Sequence, residues 1–227
     1  QGEHNRRKML LVSDMDSTMI TVECIDELAD FAGIKPQIAA ITERAMAGEL
    51  DFAEALKARV ALLAGLDENM IAQCLHERVR PMPGAEILVR TMTGWGAHAV
   101  LVSGGFTSFT GPVAALLGFT EVHANVLEIK DGCLTGVLKG DIVDAAVKKA
   151  VLHSAAVSQG IPLEAAIALG DGANDLPMIA AAVAADGLGI GYHPRPQLSK
   201  AANFSVRHSD LTALLFAQGV APSEWLR

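Results

Sequence analysis

Aromatic residues make up only 4% of the 227-residue chain, and cysteine occurs three times, at Cys24, Cys74 and Cys133, without CxxC spacing. An odd number of widely separated cysteines supports neither a disulfide framework nor a zinc site, so reduced and mostly packed thiols are expected. The seven histidines are equally scattered, with no HxxxH pair. No apolar run approaches the roughly 18 residues of a membrane span. The stretch "QGEHNRRKMLLVSD" lacks the long apolar segment and small-residue cleavage site of a signal peptide. Cytoplasm is therefore the expected compartment, with no membrane partner. An excess of basic residues is missing too. The 18 Lys and Arg against 26 Asp and Glu leave a net charge of −8, which argues against broad attraction to nucleic acid. Any anionic ligand must be held by local donors.

What is present is a core. With 51% hydrophobic residues, the chain can bury one large domain, or one domain carrying an insertion. Four short apolar runs, "MLLVSD" (9–14), "AHAVLVSG" (97–104), "AAIALGD" (165–171) and "GLGIGY" (187–192), end in a Gly, Ser or Asp or in "GY" and alternate with helical patterns at 83–96, 109–118, 142–156 and 174–185. This is the pattern of a doubly wound (Rossmann-like) parallel α/β sheet, with ligands at the carboxyl ends of its strands. One stretch breaks the alternation. Four helical segments between about Thr21 and Arg80 predict a small helical cap subdomain (21–80) inserted after the first strand of a core made of 9–20 and 81–219. Further on, "EVHANVLEIKDGCLTGVLKG" (121–140) predicts a hairpin turning around Lys130-Asp131-Gly132.

The first strand runs into "LLVSDMDSTMITVE" (10–23), where Asp14 and Asp16 could be turn formers and Ser17 or Thr18 a helix cap. Three other regions make that reading insufficient. The second strand ends in Ser103-Gly104-Gly105, whose hydroxyl and unencumbered backbone suit an anion. The third ends in "LGDGAND", with Asp171, Asn174 and Asp175, and Lys148 lies in a helix directed to the same edge. Phosphoryl transfer needs this combination. A carboxylate nucleophile can divide the displacement into two steps through an aspartyl-phosphate, but it must approach an anion. At about 4 Å and an effective dielectric near 20, one like-charge pair costs about 4 kcal/mol, so Mg²⁺ held by acidic oxygens and a lysine have to neutralise the encounter. A second carboxylate two residues on can protonate the leaving alcohol and then activate water.

"DMDST" (14–18), "SGG" (103–105), Lys148 and "GDGAND" (170–175) resemble, in order and spacing, the four motifs of the haloacid dehalogenase superfamily. Across roughly residues 10 to 210, "DMDSTMITVECIDELA", "ITERAMAGELDFAEALKARVALL", "VSGGFT", "ANVLEIKDGCLTG" and "ALGDGANDLPMI" resemble its phosphoserine phosphatase family. That resemblance implies hydrolysis of the small phosphomonoester phosphoserine to L-serine and phosphate, the last step of serine biosynthesis. Asp14 would be nucleophile and Mg²⁺ ligand, Asp16 general acid and base with its carbonyl on the metal, and Asp171 a further ligand. Asp175 and Asn174 would support the site, with Asn174 also facing substrate. Ser103, Gly104 and Lys148 would hold phosphate. Glu23 would take the amino group, Arg59 the carboxylate, and Met46 and Phe52 would shape and close the pocket. Related sequences are expected to carry Lys where Arg195 stands, and no role is assigned to Arg195. A phosphotransferase of the same superfamily, or a non-catalytic binder on the same fold, are the alternatives, although a binder is expected to have lost Asp14 or Asp16.

Overall fold

β1 (Leu10–Ser13) is buried along its whole length, which marks it as an inner strand covered on both faces. After it come four helices, α1 (Cys24–Phe31), α2 (Lys35–Met46), α3 (Phe52–Ala61) and α4 (Asn69–Arg78). The chain then alternates through α5 (Ala85–Gly94), β2 (His98–Phe106), α6 (Thr107–Leu117), β3 (Glu121–Lys130) and β4 (Cys133–Lys139). It continues with α7 (Ala145–Gln159), β5 (Ala166–Gly170), α8 (Leu176–Ala184), β6 (Leu188–Tyr192), α9 (Pro196–Ala201), β7 (Phe204–Val206) and α10 (Ala213–Ala217). The structure, a computed structural model, describes residues 6–226. Among them no helix is long and apolar enough to cross a membrane.

One seven-stranded sheet has the order β4-β3-β2-β1-β5-β6-β7. It is parallel except where β4 runs against β3. The chain moves outward from β1 on one side through β2 and β3, then returns to build β5, β6 and β7 on the other. The crevice at that reversal, above the carboxyl end of β1, is where an α/β sheet offers a ligand site. Period-two alternation divides the core. Leu11, Leu101 and Leu169 face a cluster with Leu88, Phe109 and Leu214, while Leu10, Val12 and Val100 face α7 and α8 through Leu152 and Ile179.

Two features differ from the sequence expectation. β3 is more than half of a hairpin, because its first residues pair in parallel with β2, Val100 opposite Glu121 and Val102 opposite His123. β7 was not legible, since it has three residues and only Val206 is buried. The hairpin turn is as expected, with φ of 53° at Asp131 and 78° at Gly132, the left-handed pair of a two-residue turn. Its tip reaches the helical layer. Gly65 N donates to Leu134 O at 2.8 Å, Leu134 N to Leu66 O at 2.8 Å, and Glu68 N to Gly132 O at 2.9 Å. At the base of α1–α4 the chain enters and leaves side by side, with Thr21 N on Arg80 O at 3.0 Å and Met82 N on Met19 O at 2.8 Å.

Candidate active site

Asp14 directly follows β1, and its N–H continues the ladder by donating to Leu169 O at 2.9 Å. The side chain is thereby held at the strand end. Its Oδ1 accepts from Met15 N at 2.7 Å and faces Lys148 Nζ at 2.8 Å, while Asn174 Nδ2 donates to Oδ2 at 3.4 Å. Lys148 is delivered by α7, whose first turn is capped by Asp144 accepting from Val147 N at 2.9 Å. The same ammonium donates to Asp175 Oδ1 at 2.7 Å. Asp175 Oδ2 accepts from Asp171 N at 3.2 Å and Gly172 N at 3.1 Å. This fold-back requires glycine at the end of β5, because a Cβ on Gly170 would lie 2.3 Å from the Asp175 carboxyl.

Two buried carboxylates thus share one buried ammonium. Burial foremost, then the Asp175 charge, push the Asp14 carboxyl well above its ordinary range despite Lys148. Burial pulls Lys148 down, yet Asp14 and Asp175 outweigh it and raise it on balance, so it remains cationic. Burial, with Asp175 and Glu23, pushes Asp171 up to about 6. Asp16 rises to about 7 through burial and the Glu23 charge. Its Oδ2 accepts from Cys24 N at 3.3 Å, and its Oδ1 is buried without a partner. A carboxyl divided between its two forms near neutrality suits proton transfer in both directions.

Above this floor is a cavity of about 350 Å³. Asp14, Asp16, Ser103, Gly104, Asp171 and Asn174 line its lower part, and Glu23, Phe52 and Arg59 its upper part. Ser17 has a left-handed φ of 56°, and its hydroxyl donates to Glu23 Oε1 at 2.7 Å. Phe52 and Arg59 are presented together because α3 starts at a capping box. Asp51 accepts from Glu54 N at 2.8 Å and Glu54 accepts from Asp51 N at 3.0 Å. Seven residues, about two turns, then place both side chains on one face. Phe52 leans over the lower wall, where a Cβ on Gly104 would lie 3.1 Å from its Cζ. Arg59 is restrained by Nε donating to Ala55 O at 3.3 Å. Lys148 and Asp175 lie beneath the lining rather than in it. Met46 is not brought in: it ends α2 with 77% of its surface exposed.

Oxygens of Asp14, Asp171 and Asp175 lie within 4.8 Å of one another. An all-oxygen acidic set, carrying more negative charge than Lys148 compensates, fits a hard divalent cation. Asp175 is the least available of the three, since it is 0% exposed and lies beneath the cavity that Asp14 and Asp171 line.

A family model described as haloacid dehalogenase-like hydrolase matches residues 11–180. The chain belongs to the haloacid dehalogenase-like hydrolases. Among members of this family, it is 44% identical over 223 residues to a phosphoserine phosphatase of Streptomyces coelicolor, covering 98% of this chain and 53% of that protein. It is 45% identical over 211 residues to the phosphoserine phosphatase of Albidiferax ferrireducens, covering 91% of this chain and 87% of that one. A solved phospho-aspartyl intermediate analogue of phosphoserine phosphatase superposes with a TM-score of 0.83 at 34% identity, covering 95% of this chain and 100% of that one. The chain therefore spans about half the length of the Streptomyces relative.

The cavity also takes in polar side chains to which sequence reasoning assigns no role: Asp26, Thr42 and Arg195. Arg195 N donates to Asp171 O at 3.0 Å, and its charge draws the Asp171 carboxyl down against the stronger effect of burial. Its signal was a basic residue between two prolines just after a strand end. Asp26 and Thr42 had none, because their approach depends on how α1 and α2 fold over the sheet.

Proposed function

We propose that the chain hydrolyses O-phospho-L-serine to L-serine and phosphate, with Mg²⁺, by way of an aspartyl-phosphate, an acyl phosphate, on Asp14. The observation that carries this reading is a single cavity with the Asp14–Asp16 pair below and two opposite charges, Glu23 and Arg59, above. Phosphoserine presents phosphate, ammonium and carboxylate, and each meets a complementary group. Residues 21–80 act as a cap over a core of 9–20 and 81–219, excluding bulk water during the first step. Asp14 and Asp171, with the carbonyl of Asp16, would hold Mg²⁺, which supplies the positive charge that lets two anions meet.

Asp14 attacks phosphorus through a carboxylate oxygen while Asp16, protonated, gives its proton to the leaving serine oxygen. Water then attacks the phosphorus of this acyl phosphate as Asp16 takes a proton back, breaking the bond to the Asp14 oxygen, releasing phosphate and restoring the carboxylate. Lys148 keeps its charge throughout, holding Asp14 in place and offsetting the phosphate. Ser103 and the Gly104 backbone take phosphate oxygens, and Asn174 steadies Asp14. Arg59 suits the carboxylate because its fork binds two oxygens at once. The reaction assigns the protein to the end of serine biosynthesis in the cytoplasm, with a small phosphomonoester as partner. A phosphate-release screen of small phosphomonoesters, with Mg²⁺ and then with chelator, tests it. Phosphoserine is expected to lead and chelator to stop release. Preference for another ester, or transfer to an added alcohol in place of water, would overturn the assignment.

A further inference from the structure

Between Val102 and Phe106 the pairing of β2 with β3 slips, so four steps along β2 match two along β3. The residues looped out are Ser103, Gly104 and Gly105. A bulge gives up ladder hydrogen bonds, and here a side chain replaces them. Asn125 of β3, 2% exposed, donates from Nδ2 to Gly104 O at 2.8 Å. Its Oδ1 accepts from Val143 N at 2.9 Å.

The C=O and N–H of a trans peptide point in opposite directions. Holding the Gly104 carbonyl towards Asn125 therefore aims the Gly105 N–H the other way, and it donates to Ser103 Oγ at 2.9 Å. An oxygen that accepts there has its own proton free for another acceptor. The second bond reaches the start of the Lys148 helix, beside the loop: a Cβ on Gly104 would lie 3.7 Å from Val143 O. Val143 precedes Asp144, the cap of α7, and Lys148 follows one turn later. We infer that Asn125 is the positioning residue of the phosphate subsite: it orients the Gly104–Gly105 peptide, and through it the Ser103 hydroxyl, and ties both to the start of the Lys148 helix. This deepens the proposed function, resting on it only in taking the cavity floor as the phosphate site.

The test is binding of inorganic phosphate, by calorimetry with Mg²⁺ present, to four proteins: unsubstituted, Asn125→Asp, Ser103→Ala and the double variant. Asn125→Asp keeps an acceptor for Val143 N–H but sets a carboxylate oxygen against the Gly104 carbonyl. Phosphate affinity should fall about tenfold or more, the cost of a buried polar group losing its partner. In the Ser103→Ala background most of that loss should disappear. For any phosphomonoester hydrolysed, KM should rise together for amino-acid and aryl substrates, leaving their ratio unchanged. A merely structural role would reduce the fraction of active protein and leave the phosphate dissociation constant unmoved. That result, or full additivity with Ser103→Ala, would overturn the inference. Should Asn125→Asp not fold, Asn125→Ala enters the same cycle with the same expectations. Phosphate binding without phosphoserine hydrolysis would defeat the proposed substrate and leave the role of Asn125 standing. Absence of phosphate binding in the unsubstituted protein would defeat both.

Discussion

The floor and the roof of the cavity are built differently. On the floor, Lys148 and Asp175 are 1% and 0% exposed, and both oxygens of Asp175 have donors. Strand ends and a capped helix fix these groups before any ligand arrives. On the roof, α2 buries only Ile38, Met46 is 77% and Phe52 38% exposed, and Arg59 is held by one bond to its own helix. Charge that must act on a developing transition state is preorganised, because reorganising it during reaction would raise the barrier. Under the proposed function, groups that recognise the rest of the substrate are gathered when it binds, as the roof closes.

The sharpest challenge to this contrast is Asp14→Asn. Turnover should drop by roughly 10⁴-fold or more and no phosphoenzyme should form. Asp16→Asn should slow turnover by about 10²–10⁴-fold while metal and substrate still bind. Near-normal turnover of the Asp14 variant, or no acid-stable, alkali-labile phosphate on the unsubstituted protein by rapid quench, would remove the covalent route.

Lys148→Met attacks the preorganisation itself. Asp14 and Asp175 would lose their shared cation, and unfolding by urea should show a loss of about 3–5 kcal/mol, as for a buried charge stripped of its partner. Mg²⁺ should restore part of that loss, since a cation at the carboxylates replaces some of the missing charge. A stability near that of the unsubstituted protein would mean that the floor is less tightly coupled than its distances imply.

Arg59→Ala belongs to the roof. It should cost about 2–3 kcal/mol, roughly 30- to 150-fold in kcat/KM, on phosphoserine and much less on an aryl phosphate. Equal losses on both would make Arg59 a part of the floor's function. The smallest effect is expected at Ser17, which joins the two regions. Ser17→Ala removes the hydroxyl that aims Glu23, so KM for phosphoserine should rise by about 2- to 12-fold. Ser17→Gly loses the same bond but relieves the left-handed backbone, so it should match the alanine variant in KM while being the more stable of the two by thermal unfolding.

The floor was more legible than the roof for a physical reason. An inner parallel strand is a run such as "LLVS" or "AIALG" stopped by a polar or small residue, so Asp14, Ser103 and Asp171 are marked by the end of each run. Lys148 and Asp175 followed from their places on the adjoining helices. The roof residues became visible only by resemblance, since Phe52 and Arg59 share a face through a capping box whose relation to the sheet is set by tertiary packing. Met46 shows the cost of that dependence, because the resemblance placed it at the substrate and α2 leaves it in solvent. Asn125 did carry a local sign. Asparagine is a poor strand former, and one inside "EVHANVLEIK" marks a strand with another task.

The grip of the hairpin on the α3–α4 turn has a consequence for inheritance. Residues 21–80 are joined to the remainder at their base, and again at the far side through Leu134, Gly132 and three backbone bonds. The buried cluster continues across that junction, with Leu56, Val60 and Leu63 in the same group as Leu127 and Leu134. The lid is therefore not a cassette that can be traded alone between relatives. A chimaera exchanging 21–80 by itself would set a foreign turn against Leu134, whereas one that also exchanged 121–140 would carry the matching surface with it. It would also import whatever occupies the position of Asn125, and with it the donor's own setting of the Ser103–Gly105 loop.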